Sequence, residues 1–217
     1  MRKFTGFVLL LSVLVVVLGG CSSSKTVLVS VPPRVQLHEY GTLGLVAFDS
    51  NADPAINARV TREFESRVHA AQPGTRIVEL GSRDVLLASV GARQLDPQTL
   101  RRIGEKYGVD AIFVGSLTYS EPKTTDVSLA DLTKLEAGVR VEVRGDIDSK
   151  LVETRSGASV WSSSAWARRP LGQLNVSVDQ GVSGGVRSAN PREEMVSALV
   201  SHLTEDFRPS TVRQRVD

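Results

Sequence analysis

Three Asx-Pro pairs, Asp53-Pro54, Asp96-Pro97 and Asn190-Pro191, constrain this chain more than any other feature of its sequence. An Asp or Asn side chain can accept from the free backbone N–H groups that open a helix. The Pro beside it brings a preset φ and has no N–H to leave unbonded. Each pair is followed by apolar residues at helical spacing: Ile56, Val60, Phe64 and Val68; then Leu100, Ile103 and Tyr107; then Met195, Val196, Leu199, Val200, Leu203 and Phe207. Stop signals follow at Gln72-Pro73-Gly74, Gly108 and Pro209, and Glu193 stands in the first turn of the last helix, where it complements the helix dipole. Three amphipathic helices with one apolar face each need a sheet or one another to cover that face.

The stretches between them supply the sheet. Thr42 to Phe48, Arg76 to Leu80 and Ala111 to Tyr119 are apolar and β-rich enough for strands, and Ser82 reads as the N-cap of a short helix through Val90. Val139, Val141 and Val143 alternate with Arg140, Glu142 and Arg144, and after the turn Thr154-Arg155-Ser156-Gly157 a further strand spans Ala158 to Ala167. The fold class expected is α/β: a single domain with a mixed β-sheet flanked by helices. Ser120 to Gly138 and Arg168 to Ala189 show no clear element and are expected to be long, functional loops. Trp161 and Trp166 are five positions apart, so in an unbroken strand they point to opposite faces. One of them is then an exposed candidate for partner binding, and both are carried forward in that role, together with the two long loops.

The first twenty residues specify an address. Arg2 and Lys3 precede the apolar run Phe7 to Leu18, which is too short to span a bilayer comfortably, and Leu18-Gly19-Gly20-Cys21 follows. Small residues before the single cysteine of the chain resemble a bacterial lipoprotein signal cleaved between Gly20 and Cys21, with Cys21 then carrying diacylglycerol and an N-acyl chain. Removing Arg2 and Lys3 takes the charged residues from 26 basic and 24 acidic to 24 of each, so the excess of +2 belongs to the segment removed. A neutral mature chain gives no electrostatic reason to expect nucleic-acid binding. The organisation expected is residues 1–20 as signal peptide, 21–41 as lipidated Cys and short tether, 42–208 as the α/β periplasmic domain and 209–217 as a tail. Ser22, where an inner-membrane lipoprotein often carries Asp, points by the same resemblance to an outer membrane.

Catalytic motifs fail on context. Gly181-Val182-Ser183-Gly184-Gly185 matches the G-x-S-x-G string of a serine hydrolase, which requires a strand before it and a helix directly after it, and neither is expected there. His38, His69 and His202 lie on different elements without a second ligand at metal spacing. No phosphate-binding glycine loop is present. The expectation is therefore a non-enzyme without cofactor, metal or small-molecule substrate.

The order of pieces resembles one family. The strand Gly44-Leu45-Val46-Ala47-Phe48, then Tyr107 to Ser116 (YGVDAIFVGS), then Val139 to Val152 and Ser156 to Ser162 (SGASVWS), all behind a lipobox, look like the CsgG/LpoB group of outer-membrane lipoproteins. That group comprises the curli secretion channel and an activator of a penicillin-binding protein. The resemblance implies an anticodon-binding-domain-like α/β fold working by protein contact, held to the membrane by its lipid anchor and bound to another envelope protein or to copies of itself. The channel lipoproteins place two membrane hairpins where this chain has Ser120 to Gly138 and Arg168 to Ala189. Glu121, Lys123, Asp126, Asp131, Lys134 and Glu136 crowd the first stretch, whereas a lipid-facing strand pair needs an uncharged outer face. No aromatic constriction residue follows the first strand, where Asp49-Ser50-Asn51-Ala52-Asp53 stands. The expected function is accordingly a scaffold or accessory protein in envelope assembly or secretion, with an oligomeric secretion channel as the alternative and a serine hydrolase as a remote third. About twenty residues between Cys21 and the domain, reaching roughly 5–6 Å times the square root of that number, would not carry it across a periplasm to an inner-membrane synthase.

Overall fold

The computed structural model describes residues 25–131, 136–177, 181–186 and 190–216, so the signal peptide and Cys21 lie outside the described residues. Two compact units divide the chain, one of residues up to Pro32 together with Ser210–Asp217, the other Pro33–Pro209.

The first unit is a ribbon. The strand β1 (Lys25–Val31) pairs antiparallel with β10 (Ser210–Val216), from Lys25 opposite Val216 to Val31 opposite Ser210. The segments expected to be a tether and a tail are thus the two halves of one β-ladder. Their pairing is non-local, and neither partner announces it alone.

The second unit is the mixed α/β sheet expected. In chain order it runs β2 (Thr42–Val46), β3 (Asp49–Ser50), α1 (Pro54–Ala71), β4 (Arg76–Gly81), α2 (Arg83–Ser89), α3 (Pro97–Tyr107), β5 (Ala111–Tyr119), β6 (Lys123–Asp131), β7 (Glu136–Glu153), β8 (Ser159–Ser177), β9 (Gly181–Val186) and α4 (Pro191–Leu203). The strands lie in the order β4-β2-β5-β7-β8-β9, with β3 beside β5 and β6 beside β7. β2 is parallel to both β4 and β5, while β5, β7, β8 and β9 form an antiparallel meander. The helices α1, α3 and α4 each begin at the Pro of their Asx-Pro pair, and the side-chain cap forms at Asp53 and Asp96 but not at the start of α4. The Asp53 carboxylate accepts from Ala55 N at 2.7 Å and Asp96 from Thr99 N at 2.7 Å, and Gly108 stops α3 in the left-handed region at φ 65°.

Both faces of the sheet are partly covered. α1 and α4 bury Phe64, Val68, Met195, Leu199 and Leu203 against Leu43, Leu45, Phe113, Ile147 and Leu151. On the other face Leu86 of α2 and Leu100 and Ile103 of α3 pack on Val46, Leu80 and Ile112. The larger core is organised by aromatic rings in tilted and edge-to-face contact: Phe113 lies 5.1 Å from Phe64, 5.9 Å from Trp161 and 5.9 Å from Phe207, and Trp161 lies 4.6 Å from Phe207. Gly115 has no side chain because Phe48 and the Asp148 carbonyl occupy the place of a Cβ.

Irregular segments are tied in by amides. Gln72, beyond its role in ending α1, accepts from Leu37 N at 2.7 Å and donates to the carbonyls of Val35 (2.6 Å) and Phe207 (3.1 Å). Asn51 brackets the end of β5, donating to Tyr119 O and accepting from Tyr119 N, both at 2.8 Å.

The stretches expected to be loops are strands. Lys123–Asp131 is β6, the beginning of β7 reaches back to Glu136, and Arg168–Ser177 continues β8 before β9. Their residues give a weak sequence signal because half the positions are polar by design of the pleat, and glycines dilute the rest.

Candidate functional site

The strand β5 ends at Tyr119, opposite Gly145 of β7. Beyond that point β7 and β8 run on together, flanked by β6 on one side and β9 on the other, as a four-stranded antiparallel extension. A bulge marks its base, since consecutive Val141 and Glu142 face Gly172 and Pro170 and skip Leu171. The N-terminal turns of α1 and α4 also stop here: Ala55, Ile56, Pro191 and Arg192 line a cleft with Val143, Leu171 and Pro122. Seven residues of β7, Glu136 to Glu142, lie beyond the buried Val143 and make the extension about 24 Å long at 3.4 Å per residue.

Register sorts this extension into two faces. Directly paired residues share a face, and one set of rows reads Val127, Val139, Leu174, Gly184; then Ala137, Val176, Val182; then Thr124, Val141, Gly172, Val186. The opposite set reads Asp126, Arg140, Gln173, Gly185; then Ser128, Gly138, Asn175, Ser183; then Asp131, Glu136, Ser177, Gly181; and Lys123 with Glu142. Every ionisable residue in these rows falls on the second face. The apolar face continues the parity of Val143, Ile147 and Leu151, which are buried in the core.

The charges of the first stretch that the ladder pairs are sorted by register onto one face. Of the six charges counted in the first stretch, Lys123, Asp126, Asp131 and Glu136 sit at paired positions of the polar face. Glu121 precedes β6, and Lys134 lies outside the described residues. Asp126 stands opposite Arg140 and Lys123 opposite Glu142, the arrangement that favours rather than opposes pairing. Among the described residues no helix is long and apolar enough to cross a membrane, which leaves strands as a separate matter.

The serine candidate loses its context. Gly181–Val186 is itself a strand, with Ser183 paired to Asn175 inside it, so the strand-to-helix turn of a nucleophile elbow is not there. The histidines stay apart: His69 lies 3.8 Å from Glu65, His202 lies 2.9 Å from Glu205, and His38 sits exposed in a 3-10 turn. Among the described residues no group of three or more His, Cys, Asp or Glu could hold a metal ion.

The two tryptophans separate as their parity predicts. Trp161 is buried in the aromatic core, donating from Nε1 to Asp206 Oδ2 at 3.2 Å, and is unavailable to a partner. Trp166 is 57% exposed on the sheet face that α2 and α3 leave open. The guanidinium groups of Arg144 and Arg168 lie 5.0 Å and 5.3 Å from its ring centre, and Arg144 holds Asp146 at 2.9–3.0 Å.

At the base of the extension Tyr119 is buried, its hydroxyl donating to Arg192 O at 2.9 Å. Burial pushes its phenol up from 10.0 to about 12, with Glu193 adding to the rise and Arg192 and Arg59 opposing it. The neutral phenol is the form the fold holds, so its contribution to stability is complete below pH 10 and fades as the pH rises toward about 12. Ultraviolet difference titration of the wild type against Tyr119→Phe should show the missing phenolate signal centred near pH 12. A signal centred at the ordinary phenol value would contradict this account of the site.

No protein-family model matches the chain, and no curated protein matches it in sequence. Solved structures similar in fold include the PelC dodecamer from Paraburkholderia phytofirmans (12% identity, 85% of this chain and 98% of that chain, TM-score 0.41). Lipoprotein GNA1162 from Neisseria meningitidis is another, at 15% identity, 74% and 95% coverage and TM-score 0.39. The LpoB C-terminal domain from Escherichia coli is a third, at 14%, 63% and 95%, and 0.34. At this level of likeness the function has to be argued from the chain's own residues.

Proposed function

We propose that this chain is a lipid-anchored, non-catalytic protein of a bacterial cell envelope that assembles with copies of itself into a membrane-inserted β-barrel serving secretion. The observation that carries this reading is the register of β6 to β9, which gathers the charges on one face and Val, Leu and Ala on the other, with glycines on both. Strands that cross a bilayer as a barrel have one apolar face and about nine to eleven residues; β6 has nine residues and the described part of β9 six. Four strands cannot close on themselves, and the smallest such barrels have eight. The two outer strands, β6 and β9, are therefore open edges in one copy, and open edges pair. Because β6 to β9 alternate in direction, β9 of one copy meets β6 of the next antiparallel, so the pattern continues around a ring. The barrel then contains a multiple of four strands.

Cys21 would supply the anchor and Ser22 the outer-membrane address, leaving the α/β unit on the periplasmic side. The mass of the full-length lipidated protein in mild detergent tests this proposal. A closed oligomer that also conducts ions in a planar bilayer is expected; a monomer in detergent overturns it. A second reading, a scaffold that binds another envelope protein without inserting, is favoured by the exposed Trp166 between Arg144 and Arg168, since Trp and Arg are the residues that most often anchor interfaces.

A further inference from the structure

The ribbon of β1 and β10 has its own two faces. Paired positions place Val27 with Gln214, Val29 with Val212 and Val31 with Ser210 on one face, and Leu28 with Arg213 and Ser30 with Thr211 on the other. The first face, which Lys25 and Val216 end, has Val27 47%, Val29 36%, Val31 37% and Val212 51% exposed; on the second, Leu28 is 66% exposed as a single apolar side chain beside Arg213. An isolated two-stranded ribbon is at best marginally stable in water, and an uncovered valine face makes it worse.

Two facts say what covers it. Lys25 is four positions after Cys21, and at no more than 3.3–3.6 Å per residue the chain between them spans at most about 14 Å. The two strands also contain Lys25, Arg213 and Arg215 and not one acidic residue, on a mature chain whose formal charges balance as a whole. A ribbon with one valine-rich face and basic but no acidic residues in its two strands, its Lys25 end held within about 14 Å of an acylated cysteine, matches a phospholipid surface with anionic headgroups. We infer that the ribbon lies on the bilayer with Val27, Val29, Val31 and Val212 at the acyl boundary, as a second membrane contact beside the lipid anchor. This inference rests on the reading of Cys21 as that anchor.

Site-directed spin labels test it in the full-length lipidated protein. With Cys21 acylated, Val29→Cys, Val212→Cys and Thr211→Cys each offer one free thiol. Each variant is reconstituted in phosphatidylethanolamine–phosphatidylglycerol vesicles and read against oxygen, which concentrates in acyl chains, and a nickel chelate, which stays in water. Labels at 29 and 212 should gain oxygen collisions and lose nickel collisions when vesicles are added, while the label at 211 keeps its nickel collisions. Nickel accessibility at all three sites would overturn the inference. Loss of both reagents at 29 and 212 would also overturn it and assign the valine face to a second copy of the chain. Mass spectrometry and vesicle flotation separate the two levels. A protein that carries no acyl mass and does not float removes the anchor and this inference together, whereas a protein that floats with water-exposed labels removes this inference alone.

Discussion

Phe113→Ala is expected to cost the α/β unit about 3–5 kcal/mol, the usual penalty for emptying a buried phenylalanine site. That is a large share of the roughly 5–15 kcal/mol by which a domain is stable. Phe113 is fully buried on β5 and touches the rings of Phe64 from α1, Trp161 from β8 and Phe207 from the turn after α4. Those partners come from three separate parts of the chain, so no local movement can refill the space. Guanidinium unfolding followed by far-ultraviolet circular dichroism should show a midpoint far below that of the wild type with little change in slope. Trp166→Ala on the same sheet should cost clearly less, about 1 kcal/mol, because its ring is 57% exposed and loses chiefly its contacts with Arg144 and Arg168. Equal effects of the two substitutions would mean that the aromatic cluster is not the core of this unit.

The contrast shows what could be read from sequence and what could not. The helical spacing of Ile56, Val60, Phe64 and Val68 announced a buried face, and the Asp-Pro starts placed α1 and α3 almost to the residue. Parity alone set Trp161 against Trp166. Those signals are local: a cap, a period, a stop. The extension stayed hidden because its strands alternate weakly and are interrupted by glycine. Its charges look prohibitive until the pairing of β6 with β7 shows that they share a face. Likewise nothing within Lys25–Val31 predicts a partner at Ser210–Val216, and nothing about Gln72 or Asn51 predicts which carbonyls they reach. In each case the missing information is a contact between residues distant in sequence. Register is such a contact, and it decides what the candidate site is.

Leu174→Arg is expected to abolish the detergent-stable oligomer and its conductance while leaving the α/β unit folded; Gln173→Arg is expected to leave all three intact. The two positions are neighbours on β8, yet register assigns Leu174 to the row of Val127 and Val139 and Gln173 to the row of Asp126 and Arg140. An arginine on the lipid face of a barrel costs about 2–4 kcal/mol at mid-membrane, and a ring repeats that cost in every copy. On the polar face the same side chain stands opposite Arg140, with Asp126 on the far side of that arginine, so its cost is a like-charge contact in water of under about 1 kcal/mol. The α/β unit should be indifferent to both, because the extension lies beyond Val143 and Leu171, where the packed core ends. The readouts are oligomer mass in detergent, bilayer conductance and the circular dichroism midpoint. If Leu174→Arg retains oligomer and conductance, the apolar rows do not face lipid. If it loses them together with the fold, the extension belongs to the core of the protein and not to a membrane. Only loss at 174 with retention at 173, on an unchanged α/β unit, fits a sheet that meets lipid on one side and water on the other.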